Sequence, residues 1–122
     1  MYSDLNLLRT KGAKASKNLE TFENPGCCEV TYSTDEFTSN CPVTGAPDYY
    51  QVFVTVYGAK RLIESKSFKL YCWAYRGEGH FCEALAAIIA ADVGSATGAH
   101  EVVCRVVQKP RGGVAIEAIS NG

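Results

Sequence analysis

The stretch Glu36-Phe37-Thr38-Ser39-Asn40-Cys41-Pro42-Val43-Thr44-Gly45-Ala46-Pro47-Asp48 sets a cysteine among Ser, Thr, Pro and Gly, with a carboxylate a short turn behind it. A cysteine thiolate is a strong nucleophile. A nearby carboxylate can take the thiol proton, or return one to whatever the sulfur attacks. Such a loop is a poor place for a core residue, and loops carry function more often than packing. The competing reading of Cys41 is an inert buried thiol, since free cysteine is among the most buried residue types. Further along, Glu64-Ser65-Lys66-Ser67-Phe68-Lys69-Leu70-Tyr71 places two lysines three apart at a helix start, with Phe68 and Tyr71 anchoring the other face. Lysines so placed are either solvated surface charges or point-charge binders of phosphate. Pro110-Arg111-Gly112-Gly113 adds an arginine on a glycine-flanked turn, where a ligand could approach the backbone closely. Taken alone, that segment reads as an ordinary hairpin turn.

These residues need a scaffold, and 122 residues suffice for one domain with a modest core. The composition, 47% hydrophobic and 20% charged with a net charge of -1, is that of an ordinary globular protein rather than a disordered one. A charge so near zero argues against a dedicated nucleic-acid binder, whose affinity comes largely from phosphate neutralisation. The longest apolar run, Ala84 to Ala91, is far too short to span a bilayer, and Met1 to Asn18 is mixed and charged with no apolar export core. The expectation is an intracellular, cytoplasmic protein without membrane attachment. Six cysteines in that setting do not imply a disulfide framework. Cys27 and Cys28 are adjacent, and with His80 and Cys82 they match no standard zinc spacing, so no metal site is expected.

Residues 1–24 are polar and weakly periodic, and read as an arm ordered by contacts with the body or a neighbouring subunit. Asn24-Pro25-Gly26 is a turn signal that opens a single domain over 25–122. Cys28 to Tyr32 alternates as a strand, Ser33 to Asp48 reads as a long functional loop, and Tyr50 to Tyr57 is a strong strand of aromatic and β-branched residues. After Gly58 a short strand spans Arg61 to Glu64. Helical spacing of apolar residues follows over Ser65 to Tyr75, broken by Gly77-Glu78-Gly79, and again over Phe81 to Val93, ended by Gly94 to Gly98. Glu101 to Val107 and Gly113 to Ile119 are two more strands, tightly joined. The order ββααββ is an α+β chain, met by one antiparallel four-stranded sheet with both helices on one face. Such a sheet has two edges, and lateral joining into a closed ring removes them, so an oligomer is expected.

Leu19-Glu20-Thr21-Phe22-Glu23-Asn24-Pro25, the Glu36 to Asp48 loop, Glu64 to Tyr71, Phe81-Cys82-Glu83 and Pro110 to Gly113 occur in this order. Together they resemble the single-module 7-cyano-7-deazaguanine reductases of the queuosine pathway, nitrile reductases with the tunnelling fold. The resemblance covers nearly everything from Leu19 to Ile119. It implies that Cys41 attacks the nitrile carbon of 7-cyano-7-deazaguanine to form a thioimide, with Asp48 as general acid/base. Two hydride transfers from NADPH then give 7-aminomethyl-7-deazaguanine. Lys66, Lys69 and Arg111 match the family's NADPH-binding positions. Glu83 matches the glutamate that anchors the guanine-like edge of the substrate, and Glu64 and Ser65 line the base pocket. Read from its position alone, Glu83 is a first-turn acid favoured by the helix dipole. The resemblance also implies pentameric rings, often stacked as decamers, with sites between subunits.

One departure stands out. The family usually carries Phe-His-Glu where this chain has Phe81-Cys82-Glu83, and a thiol does not replace an imidazole as a proton carrier. His80, two residues earlier, reads as a surface histidine rather than a substitute. A reversible Cys41–Cys82 disulfide shielding the nucleophile is a further expectation to be tested. The changed motif keeps a second reading open, an amidinotransferase in which ammonia intercepts the same thioimide on a free or nucleic-acid-borne base. Two others are a non-catalytic deazapurine-binding protein and a zinc-dependent pterin-type enzyme on the same fold.

Overall fold

The computed structural model describes residues 15–122. Its elements are β1 (Thr21–Glu23), β2 (Glu29–Asn40), β3 (Pro47–Tyr57), β4 (Arg61–Ile63), α1 (Ser65–Trp73), α2 (Cys82–Thr97), β5 (Glu101–Arg111) and β6 (Val114–Asn121). The long strands form one antiparallel sheet in the order β2-β3-β5-β6, and β1 pairs with β4 as a separate ribbon. This is the expected α+β arrangement. Strict alternation makes it: Tyr50, Val52, Val54 and Val56 of β3 and Val102, Cys104 and Val106 of β5 are buried. They meet Leu85, Ala86, Ile89, Ala90 and Val93 of α2, spaced to share one helical face, and Phe68, Tyr71 and Cys72 of α1.

The structure corrects the reading of Ser33 to Asp48 as a loop. β2 runs on to Asn40 and β3 begins at Pro47, so the irregular segment is short. A bulge hides the strand in the sequence: Thr34 pairs with Val52, whereas Phe37 pairs with Tyr50. Before it the even residues Val30 and Tyr32 face the core, and after it the odd residues Phe37 and Ser39 do. Helix α2 also outlasts its expected end, passing through Gly94 to Thr97 and stopping at Gly98, whose φ of 60° is the left-handed cap that glycine favours. A helical glycine costs about 1 kcal/mol relative to alanine, and a Cβ at Gly94 would lie 3.6 Å from Val102 Cγ2.

Of the arm, residues 1–14 lie outside the described residues. Thr21–Glu23 pairs with Arg61–Ile63 as β1, and Leu19 and Phe22 pack on the core. Among the described residues no helix is long and apolar enough to cross a membrane.

Candidate active site

Cys41 follows β2 directly and opens a tight turn. Its N–H donates to the Ala46 carbonyl at 2.8 Å, and Gly45 N–H donates back to the Cys41 carbonyl at 2.8 Å. Gly45 sits at φ 74°, in the left-handed region. The turn folds the Thr44 hydroxyl and the Thr44 and Val43 N–H groups toward the sulfur. These donors lower the Cys41 pKa, while partial desolvation and the neighbouring Asp48 charge oppose them. The thiol is therefore biased toward the nucleophilic thiolate.

Asp48 is the second residue of β3, on the helix-facing side with Tyr50, and only 5% exposed. Arg111, at the end of β5, donates Nη1–H to Asp48 Oδ1 at 2.6 Å. This charge-assisted bond raises the arginine's pKa further above its ordinary value. Beneath them, the Ser39 hydroxyl donates to Tyr50 Oη at 3.4 Å. Burial raises the Tyr50 pKa, and the charges of Asp48, Cys82 and Cys41 act in the same direction. Cys82 opens α2, so Cys41, Asp48, Arg111 and the start of α2 gather at one end of the sheet. Glu83, in the first turn of α2, is exposed there.

A clamp that the sequence did not announce holds the end of β2. Asn40 N–H donates to the Glu78 carbonyl at 2.8 Å, and His80 N–H donates to the Asn40 carbonyl at 3.0 Å. Glu78 binds His80 Nε2 and Lys17 Nζ, both at 2.7 Å, and these two partners lower its pKa. His80 is half-buried with its ring edge-on to Tyr75. The only signal was Gly77-Glu78-Gly79, where Gly79 allows close approach: a Cβ there would lie 3.4 Å from Pro42 Cα.

The second set of predicted residues stands elsewhere. Glu64 is the N-cap of α1, its Oε2 accepting from Lys66 N–H at 2.8 Å and Ser67 N–H at 3.2 Å. Ser65, Lys66 and Lys69 are exposed, and Lys69 Nζ lies 4.7 Å over the Trp73 ring. Between α1 and β2 runs a groove of about 560 Å³, lined in part by Thr31, Ser33, Ser65, Lys69 and Trp73. Lys69 on the wall of this aromatic, hydroxyl-lined groove is a charge that could meet a phosphate-bearing nucleotide. The start of α1 is fixed beside Tyr32, whose hydroxyl accepts from Ile63 N–H at 2.8 Å. From Tyr32 to Asn40 the strand runs roughly 25 Å. Lys69 lines the groove along β2 from Thr31 to Glu36, and Cys41 follows the strand's end at Asn40.

All six cysteines are free. Cys41 and Cys82 are not bonded to each other, and Cys82 is buried with Sγ donating to the Val106 carbonyl at 3.5 Å. Burial pushes the Cys72 and Cys104 thiols up to about 12. Among the described residues no three His, Cys, Asp or Glu side chains assemble into a metal-sized group.

The chain is 40% identical over 120 residues to an NADPH-dependent 7-cyano-7-deazaguanine reductase of Syntrophus aciditrophicus, covering 93% of this chain and 84% of the relative. An enzyme of the same name from Frankia casuarinae is 38% identical over 109 residues, covering 88% and 87%. The fold is similar to the apo crystal structure of the archaeosine synthase QueF-Like, with a TM-score of 0.74 and 24% identity, over 80% of this chain and 95% of that one. The sequence profile described as QueF-like protein matches residues 47–121, more than half of the chain. By that match and by its reductase relatives, this chain belongs to the QueF-like protein family.

Proposed function

We propose that this protein is an NADPH-dependent reductase that converts the nitrile of 7-cyano-7-deazaguanine to the aminomethyl group, acting in the cytoplasm. One observation carries the chemistry: a thiol whose pKa is lowered by hydroxyl and N–H donors, with a buried carboxylate across the turn. Cys41 Sγ forms a bond to the nitrile carbon, and the thiol proton passes by way of Asp48 to the nitrile nitrogen. The product of that step is a thioimide, with no change in oxidation state. Glu83, exposed at the start of α2, accepts hydrogen bonds from the ring and amino N–H donors of the guanine-like edge. Ser65 and Glu64 serve the base pocket through the serine hydroxyl and Glu64 Oε1, since Oε2 is committed to capping α1.

Lys66, Lys69 and Arg111 hold the phosphates of NADPH, and the groove beside Trp73 takes its aromatic part. When bound, NADPH supplies the two hydrides. The separation of α1 from Cys41 supports a site completed between subunits, within pentameric rings that stack as decamers. Among the described residues the outer edges of β2 and β6 are open, which favours the same assembly.

The test is incubation with 7-cyano-7-deazaguanine, with and without NADPH, following nicotinamide absorbance and intact mass. A Cys41 adduct together with NADPH oxidation is expected. An adduct without oxidation, restored to turnover by ammonium, would favour the amidinotransferase. Cys82 gives that outcome a rationale, because with a thiol at this position Phe81-Cys82-Glu83 has no imidazole.

A further inference from the structure

We infer that Arg111 is a positioning residue for Asp48 in the sulfur-addition step itself, not only a holder of cofactor phosphate. The inference rests on the nitrile chemistry proposed above. Its first support is the contact: Nη1 meets Asp48 Oδ1 at 2.6 Å, with the aspartate side chain 7% exposed. A buried carboxylate fixed by one oxygen has one orientation, and its other oxygen is left to carry the proton from Cys41 to the nitrile nitrogen.

The second support is how the backbone delivers Arg111. Along β5 the even residues Val102, Cys104 and Val106 face the helices, so Arg111, by simple alternation, belongs on the opposite face from Asp48. The β5–β6 register shifts between Gln108 and Arg111. That irregularity, beside Pro110 and the two left-handed glycines Gly112 and Gly113, turns the side chain to the Asp48 side. The β2 bulge does the same for Ser39, beneath the same carboxylate. Both irregularities of the main sheet therefore converge on Asp48. The guanidinium remains 45% exposed and carries five donors, so holding Asp48 leaves it able to face a phosphate as well.

The step in question is addition of Cys41 to 7-cyano-7-deazaguanine without cofactor. One S–C bond forms, one C–N π bond is lost, and the thiol proton moves to nitrogen. Its rate is followed by intact protein mass for wild type, Arg111→Lys, Arg111→Gln and Arg111→Ala, with thermal melts confirming folding and NADPH binding measured separately by calorimetry. For Arg111→Gln and Arg111→Ala the maximal addition rate should fall about tenfold or more, with the half-saturating nitrile concentration unchanged. Arg111→Lys should recover part of the rate. Addition at the wild-type rate in all three variants, with only NADPH binding weakened, would overturn the inference. A wild-type protein that forms no adduct would remove the nitrile chemistry itself, and the positioning role with it.

Discussion

At the scale of single residues, hydroxyl and N–H donors around its sulfur lower the Cys41 pKa. The largest is the Thr44 hydroxyl. Thr44→Val should therefore raise the Cys41 pKa. Alkylation of the Cys41 peptide by iodoacetamide, followed against pH, should show a midpoint below that of an ordinary thiol in wild type and a higher one in the variant. The sign for stability is the same: a thiol whose native pKa lies below its unfolded value adds stability above the unfolded value and loses it as pH falls through the native one. Asp48→Asn keeps the shape but cannot relay a proton, and should slow thioimide formation about a hundredfold or more in the mass assay. That Cys41 and Asp48 share one turn was legible from their spacing, while the roles proposed for them came from the family resemblance. The Arg111–Asp48 pair was not legible, since those residues lie far apart in sequence and only the strand pairing brings them together.

At the scale of elements, patterning gave the two helices and the Val-rich strands, where alternation and helical spacing are uninterrupted. It failed over Ser33 to Asn40 because the bulge places Asp35 and Glu36, both exposed, where the alternation would switch sides. A polar pair at a parity flip resembles a loop. The Glu64 cap was hidden for another reason: the segment invites a ligand reading, and the carboxylate turns out to satisfy helix N–H groups. Glu64→Ala should lower stability by about 1 kcal/mol in urea unfolding, even with no ligand present. Leu85→Ala, which removes a side chain 0% exposed from the interface between α2 and the sheet, should cost about 2–5 kcal/mol by the same measurement.

At the scale of the whole molecule, the candidate residues of one chain fall into two groups, proposed half-sites set apart along β2. Cys41, Asp48, Arg111 and Glu83 are at one end of the sheet, and Glu64, Lys66 and Lys69 are beside α1. Among the described residues the outermost strands are unpaired on one side, and Val114, Ile119 and Tyr49 are largely exposed. If neighbouring copies join these half-sites, Cys41→Ala and the Lys66→Ala/Lys69→Ala double variant should each be inactive alone. Mixed after dissociation and reassembly in equal amounts, they should regain about a quarter of the wild-type rate. No recovery from the mixture would place both halves within one subunit's own site.

The donors gathered around the Cys41 sulfur have a chemical cost as well as a use. A partly exposed thiolate is the form that peroxide attacks first, and it would oxidise to a sulfenic acid ahead of the buried Cys72, Cys82 and Cys104. Cys82, shut beneath the Val106 carbonyl, offers no exposed thiol to capture that product, and Cys27 and Cys28 sit before the opposite end of β2. The oxidised nucleophile would then depend on an outside thiol for its return. The protein should lose activity in dilute peroxide and regain it with dithiothreitol, while bound nitrile, by occupying the sulfur, should protect it.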